Sequence, residues 1–268
     1  MIEEAKKAAL EAGKILLKHF GNVPRSAVRK KARNDFISFV DEESEETIIK
    51  IIRSAFPDHA ILAEEGGAFE NDSPYRWIID PLDGTTNYLH SIPVFAVSIA
   101  LEYKNSLIAG VIYNPVSDEI FWASKGEGAF FNGRSISVSD TPILEDSFIA
   151  TGFPFKNKEL LSDYLKAFEN IFQQCTGARR MGAAAIDLAY VAAGRFDGFW
   201  EIGLKPWDMA AGAIVIEEAG GIVTDCWNGS QYLNNSYIIA SNGKIHKEMG
   251  EIIKQVFPSA RLDAGFNK

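Results

Sequence analysis

Thiols are scarce: Cys175 and Cys226 are the only cysteines in 268 residues, and they do not form a CxxC pair. That argues against a disulfide framework and against a cysteine-rich zinc site. Histidine is nearly as sparse. His19, His59, His90 and His246 are scattered, with no HExxH or paired spacing, which removes the usual donor sets for zinc and iron. Any metal the chain holds therefore has oxygen ligands. No apolar run reaches membrane-spanning length, and the opening MIEEAKKAALEAGKILLKHF sets acids and lysines inside an apolar periodicity, unlike a signal peptide. The expected location is the cytoplasm. Positive charge is in deficit too: 27 Lys and Arg against 36 Asp and Glu leave a formal charge of −9. A general nucleic-acid or anionic-membrane binder would need the opposite balance, so small molecules are the expected partners. Internal repeats and low-complexity linkers are also missing, so any two halves should share an interface and leave a cleft between them.

Forty-seven per cent hydrophobic residues provide material for a large core. Ile2, Ala5, Ala9, Ile15 and Leu16 recur at helical spacing up to Gly21, predicting an amphipathic helix with a glycine stop. A second helix is expected over about 41–56, with the acidic opening DEESEE at its positive end and Pro57 beyond it. The intervening VRKKARNDFISFV reads as a hairpin or loop. From about 60 to 138 short strands dominate (AILAEE, YRWIIDPLD, VFAVSIALEY, LIAGVIYNPV, DEIFWASK, AFFNG), predicting a mostly antiparallel sheet. After Ser147 strands and helices alternate: FIATGF, helices at about 158–174 and 183–193, FDGFWEI, a helix at about 207–219, GIVTD, SYIIASN and a last helix at about 244–256. The reading is a mixed α/β (α+β) chain with halves at 1–145 and 146–268, the second an alternating α/β unit.

Three segments carry the chemistry. In WIIDPLDGTTNY an apolar strand runs into Asp80 and Asp83, with Pro81 restricting the turn, Gly84 allowing close backbone approach, and the Thr85 and Thr86 hydroxyls following. Carboxylate, carbonyl and hydroxyl oxygens so placed suit a hard cation. The alternative is a plain Asp/Pro/Gly turn with a threonine cap. Glu64 and Glu65 end AILAEE before two glycines, where solvated charge is the plainer explanation. Asp208 opens the apolar helix in KPWDMAAGAIVIEEAGG, where a favourable interaction with the helix dipole would account for it without a ligand. Trp207 beside it reads as packing.

Together, WIIDPLDGTTNY and PWDMAAGAIVIEEAGG, with AEEGG and NDFISFVDEESEE in support, resemble the signatures of the inositol monophosphatase family. TGFPF and MGAAAIDLAYVAAGRFDGFWEIG look like its bacterial branch. The resemblance spans nearly the whole chain and implies a layered α-β-α-β-α sandwich of the inositol monophosphatase/fructose-1,6-bisphosphatase type. It implies a magnesium-dependent, lithium-sensitive phosphatase, a homodimer, with two to three Mg2+ ions per subunit. Glu64, Asp80, the Leu82 carbonyl and Thr85 would surround one ion, and Asp80, Asp83 and Asp208 a second. A third, weaker ion would use Glu64 and waters. Asp41 and Thr85, helped by Glu64, would position the attacking water, although an ordinary helix cap would also account for Asp41. Backbone amides of Gly84, Thr85 and Thr86 would cradle the phosphate. Asp83, Gly182, Ala183, Ala184 and Glu201 would line the substrate, with Ala183 departing from the threonine of the animal inositol enzymes. Arg179 and Arg180 could meet a second phosphate or a dimer neighbour, or form surface ion pairs. The implied substrate is inositol 1-phosphate or a related small sugar or polyol monophosphate. Fructose 1,6-bisphosphate is the alternative, because the metal site contacts only the shared phosphate, and a non-catalytic role in transcription complexes is a further one.

Overall fold

The computed structural model describes residues 1–32, 35–69, 71–154 and 158–257. Arg33, Asn34 and Phe155, which fall within three of the sequence segments above, lie outside the described residues.

The chain opens with α1 (Ile2–His19), whose buried stripe is mostly alanine: Ala5, Ala8, Ala9 and Ala12, then Leu16. Small side chains there let the helix lie close to its neighbours. A short antiparallel pair, β1 (Val28–Ala32) and β2 (Asp35–Ser38), leads into α2 (Phe39–Ala55). That helix starts two residues earlier than the acidic run suggests because Ser38, not Asp41, is its N-cap.

Then come β3 (Ala60–Ala63), β4 (Gly67–Phe69), β5 (Tyr75–Asp83), the short α3 (Thr85–Leu89), β6 (Ala96–Tyr103), β7 (Ser106–Asn114), β8 (Glu119–Ser124), β9 (Gly128–Phe131) and β10 (Arg134–Ile136). These strands form an eight-stranded sheet ordered β10-β9-β8-β7-β6-β5-β3-β4. It is antiparallel except where β3 runs parallel to β5. The remainder comprises β11 (Phe148–Thr151), α4 (Leu161–Phe172), β12 (Gly177–Arg179), α5 (Ala184–Ala192), β13 (Gly198–Ile202), α6 (Pro206–Glu218), β14 (Ile222–Thr224), α7 (Tyr232–Asn235), β15 (Tyr237–Ser241) and α8 (His246–Val256). Its five-stranded sheet is ordered β12-β11-β13-β15-β14 and is mixed: β11 is parallel to both neighbours, and β15 is antiparallel to both of its own.

Alternation along β5 sets the layers. Trp77 and Ile79 face α1 and α2, whereas Ile78 faces the opposite way, into a core shared with α5, α6 and the inner face of the second sheet. The outer face of that sheet, with Ile149, Trp200 and Ile239, packs beneath α4 and α8. The order is therefore helices, sheet, helices, sheet, helices, the layered α-β-α-β-α arrangement that the resemblance implies. Sandwiched between two sheets, α6 buries every residue from Met209 to Ile216, so it is apolar all round rather than amphipathic. No described helix is long and apolar enough to cross a membrane.

Candidate active site

Asp80 and Asp83 lie three residues apart on one strand, an odd offset that in regular pleat would point them to opposite faces. The pairing of β5 with β6 breaks between them: Asp80 faces Ser98 and Asp83 faces Ala96, so three steps on β5 match two on β6. This bulge around Pro81 and Leu82 re-aims the strand end and brings the two carboxylates together. Two hydrogen bonds hold it: Ser44 Oγ donates to the Pro81 carbonyl at 2.9 Å, and the Leu82 amide donates to Asp80 Oδ1 at 2.9 Å. Asp208, from the first turn of α6, completes a cluster in which one carboxylate oxygen of each acid lies within 4.8 Å of the others.

Burial is the largest force on the first two acids. It raises the proton affinity of Asp80 well above the usual carboxylate range, and the charges of Glu64, Asp83 and Asp208 raise it further. Asp83 is raised by burial and then by Asp208, against a lowering contribution from the Ala185 amide, which donates to its Oδ2 at 2.7 Å. Acids packed together against their mutual repulsion, with oxygen the only donor type, fit a hard divalent cation.

Glu64 follows β3, and its backbone amide donates to the Ile79 carbonyl at 3.1 Å. It is not in the 4.8 Å cluster, but its charge reaches Asp41, Asp80 and Asp83. The loop behind it is gripped by Glu45 of α2, whose carboxylate accepts from the amides of Glu65 and Gly66 at 2.8 and 2.6 Å. Asp41 is 1% exposed and is raised by burial despite accepting from the Ser38 hydroxyl and amide. Its other oxygen accepts from Thr85 Oγ1 at 3.3 Å, and the same hydroxyl lies 3.0 Å from the Leu82 carbonyl.

Gly84 has φ +89°, and a side chain there would meet the Val94 carbonyl at 3.0 Å and Ala183 at 3.2 Å. The first turn of α3, carrying Thr85 and the exposed Thr86, thus abuts the segment containing Gly182, Ala183 and Ala184. Glu201 rises from β13, 6% exposed, and burial with help from Asp208 pushes its pKa up to about 8 against the opposing charge of Arg180. Gly152 makes room for it, because a methyl group at that position would overlap the Glu201 carboxyl. The two arginines part company: Arg179 stacks on Phe148 at 4.5 Å, whereas the charge of Arg180 reaches Glu201 and Asp187.

Sequence reasoning missed Ser44, Glu45, Asn87, Gly152 and Asp187. Asp187 in α5 is 1% exposed, with an Oδ1 that has no hydrogen-bond partner, and burial raises its pKa well above normal. A lone acid within the apolar run AAAIDLAYVAA is the one sequence signal that marks it.

An all-oxygen acidic cluster where two sheets meet across a buried helix layer is the kind of centre that suits a hard divalent cation and, through it, an anionic ligand. The inositol monophosphatase family model matches residues 1–257. The chain is 45% identical over 250 residues to an inositol-1-monophosphatase of Mesorhizobium japonicum, covering 93% of this chain and 94% of that one. It is 44% identical over 263 residues to Nus factor SuhB of Pseudomonas aeruginosa, covering 96% and 97% respectively. A crystal structure of the extragenic suppressor protein SuhB from Bartonella henselae superposes with a TM-score of 0.91 at 45% identity, covering 94% of this chain and 98% of that one. The chain belongs to the inositol monophosphatase family, and it is accordingly a phosphatase.

Proposed function

We propose that this phosphatase depends on magnesium and hydrolyses inositol 1-phosphate or related small sugar and polyol monophosphates. The observation that carries the reading is the convergence of Asp80, Asp83 and Asp208 in a chain of this family. Asp80, Asp83 and Asp208 would hold one ion, and Glu64, Asp80, the Leu82 carbonyl and Thr85 another, with Glu64 also serving a weaker third. Bound Mg2+ supplies positive charge that acidifies water and offsets the charge of the transferring phosphoryl oxygens. The protein's own part is orientation. Asp41 fixes the Thr85 hydroxyl, whose lone pair can then take a hydrogen bond from the attacking water, and the amides of Gly84, Thr85 and Thr86 bind the phosphate. Glu201 and the residues 182–184 face the leaving alcohol. In this scheme residues 1–145 bring most of the metal centre, and 146–268 bring Asp208 and the substrate wall.

Phosphate release from a panel of esters, fructose 1,6-bisphosphate among them, with magnesium and with excess chelator, tests the proposal. Activity confined to the magnesium arm and inhibited by lithium is expected, and full turnover in chelator would sink it. Relatives named Nus factor SuhB support a second reading, a role in transcription complexes alongside catalysis, which a pull-down from cell extract tests. A homodimer belongs to the same proposal; light scattering at micromolar concentration should give about twice the chain mass of 29.5 kDa.

A further inference from the structure

Residues 181–185, which contain the stretch 182–184 that lines the substrate in the proposed reading, have no regular structure until α5 begins at Ala184. The segment is nonetheless held at both ends, and both grips come from one stretch of chain, residues 80–89. At its far end the Ala185 amide donates to Asp83 Oδ2 at 2.7 Å. At its near end Asn87 Nδ2 donates to the Met181 carbonyl at 2.9 Å, and the same nitrogen donates to the Val94 carbonyl at 2.8 Å. The side-chain amide has two hydrogens, and these two carbonyls use both. Only the nitrogen can face two carbonyls, so the partners themselves settle the orientation of the amide. Gly182 has φ +91°, and a Cβ there would lie 2.8 Å from Asn87 Nδ2, so glycine lets the backbone close over the amide. The polarities are complementary: a carboxylate takes the N–H at one end, and an amide supplies the C=O at the other.

The two grips differ in kind. Asp83 belongs to the acidic cluster, so its hold on Ala185 shares a carboxylate with whatever the cluster binds. Asn87 carries no charge, and both of its amide hydrogens go to backbone carbonyls. It rises from α3, the helix whose first turn would cradle the phosphate, so it ties the phosphate cradle directly to the substrate wall. We propose that Asn87 is a positioning residue that fixes residues 181–185 against α3, so that preference for polyol esters over aryl esters depends on an amide that contacts neither ester. This rests on the proposed function, in that the wall is taken to meet the leaving alcohol.

Asn87→Asp keeps the shape and replaces the donor with an acceptor, and Asn87→Ala removes the group. The wild type and both variants are assayed in magnesium with inositol 1-phosphate and p-nitrophenyl phosphate, and amide hydrogen exchange is followed over residues 84–89 and 181–185. An aryl ester has no hydroxyls for the wall to meet. Both variants should therefore lose specificity constant for the polyol ester about tenfold or more beyond any loss for the aryl ester, as expected of a sub-ångström misplacement. Exchange should quicken in 181–185 while β6 and β7 stay protected. A wild-type ratio of the two esters, or unchanged exchange in 181–185, overturns the proposal. If the wild type hydrolyses neither ester, the functional reading falls by itself, and hydrogen exchange alone then decides the clamp.

Discussion

At Asp41 and Asp208 the sequence offers two explanations, helix capping and site chemistry, and the structure keeps both because a carboxylate has two oxygens. Asp41 sits at the third position of α2 and accepts from the Ser38 amide with Oδ2, while Oδ1 takes the Thr85 hydroxyl. Asp208 sits at the third position of α6 and accepts from the Lys205 amide at 2.7 Å, yet it also joins Asp80 and Asp83. The residue types could be read in advance. Their convergence could not, because it depends on a strand bulge and on helices 44 to 128 positions away in sequence from their partners. Asp83→Asn and Asp208→Asn should each abolish most turnover at saturating magnesium while leaving the protein folded, since neutralisation relieves repulsion. Near wild-type rates in either variant would mean that its assignment as a ligand is wrong. Glu201 calls for a pH series. Its pKa is raised by burial to about 8, and a cation that offsets Asp208 would bring it lower, so it gains its charge as pH rises through that region. Glutamine mimics the neutral acid but not the carboxylate. Glu201→Gln should therefore penalise a polyol phosphate relative to an aryl phosphate by about tenfold at pH 9, as expected for a charged hydrogen bond. The gap should narrow at pH 6, and equal losses for both esters at every pH would reject the contact.

Elements carried by a long apolar or amphipathic run were legible: α1, α2, β5 to β8 and α6 all lie within a few residues of their expected positions. Those missed are short and depend on partners elsewhere in the chain. The strand β12 is the three residues Gly177–Arg179, with no apolar alternation, and exists only because Phe148, Ile149 and Ala150 offer a parallel edge. β4 likewise exists only as the antiparallel partner of β3, and α7 is a single turn. Periodicity also says little about which helices lie between the sheets, although the all-apolar α6 carries that information in retrospect. The capping box of α2 allows structure and chemistry to be separated within one element. Ser38→Ala removes the cap and should cost about 1 kcal/mol of stability in urea titration, with turnover reduced only modestly because the Asp41–Thr85 bond remains. Thr85→Val should do the reverse, lowering turnover sharply with little effect on the urea midpoint. If Ser38→Ala proved as inactive as Thr85→Val, Asp41 would be acting through the helix end and not through the hydroxyl.

Across the whole molecule the formal charge of −9 sets a problem that the fold sharpens, because it buries acids side by side instead of dispersing them. Burial first, and then mutual repulsion, holds the folded-state pKa of Asp80 and Asp83 above the unfolded value. The folded protein therefore retains protons that the unfolded chain releases, and metal-free stability from these groups is fully present at low pH and lost as pH rises through their raised pKa values. His246 acts with the opposite sign. Burial between Thr224 and Ser241 lowers its pKa to about 4, so its contribution is present above the unfolded value near 6.5 and lost as pH falls toward 4. The two trends overlap, and a single melting curve against pH would confound them. Comparing melts in magnesium with melts in chelator separates them, because His246 lies outside the cluster and contributes equally to both. The magnesium increment should therefore grow as pH rises from 5.5 to 8.5, as more of the cluster charges and awaits a cation. Each ion should contribute about 2.7 kcal/mol once magnesium stands a hundredfold above that ion's dissociation constant. Asp83→Asn should shrink that increment and flatten its pH slope, whereas His246→Gln should leave the increment intact while changing the acid limb of both curves. An increment independent of pH, or one undiminished in Asp83→Asn, would show that magnesium binds elsewhere and that the cluster is not the metal centre.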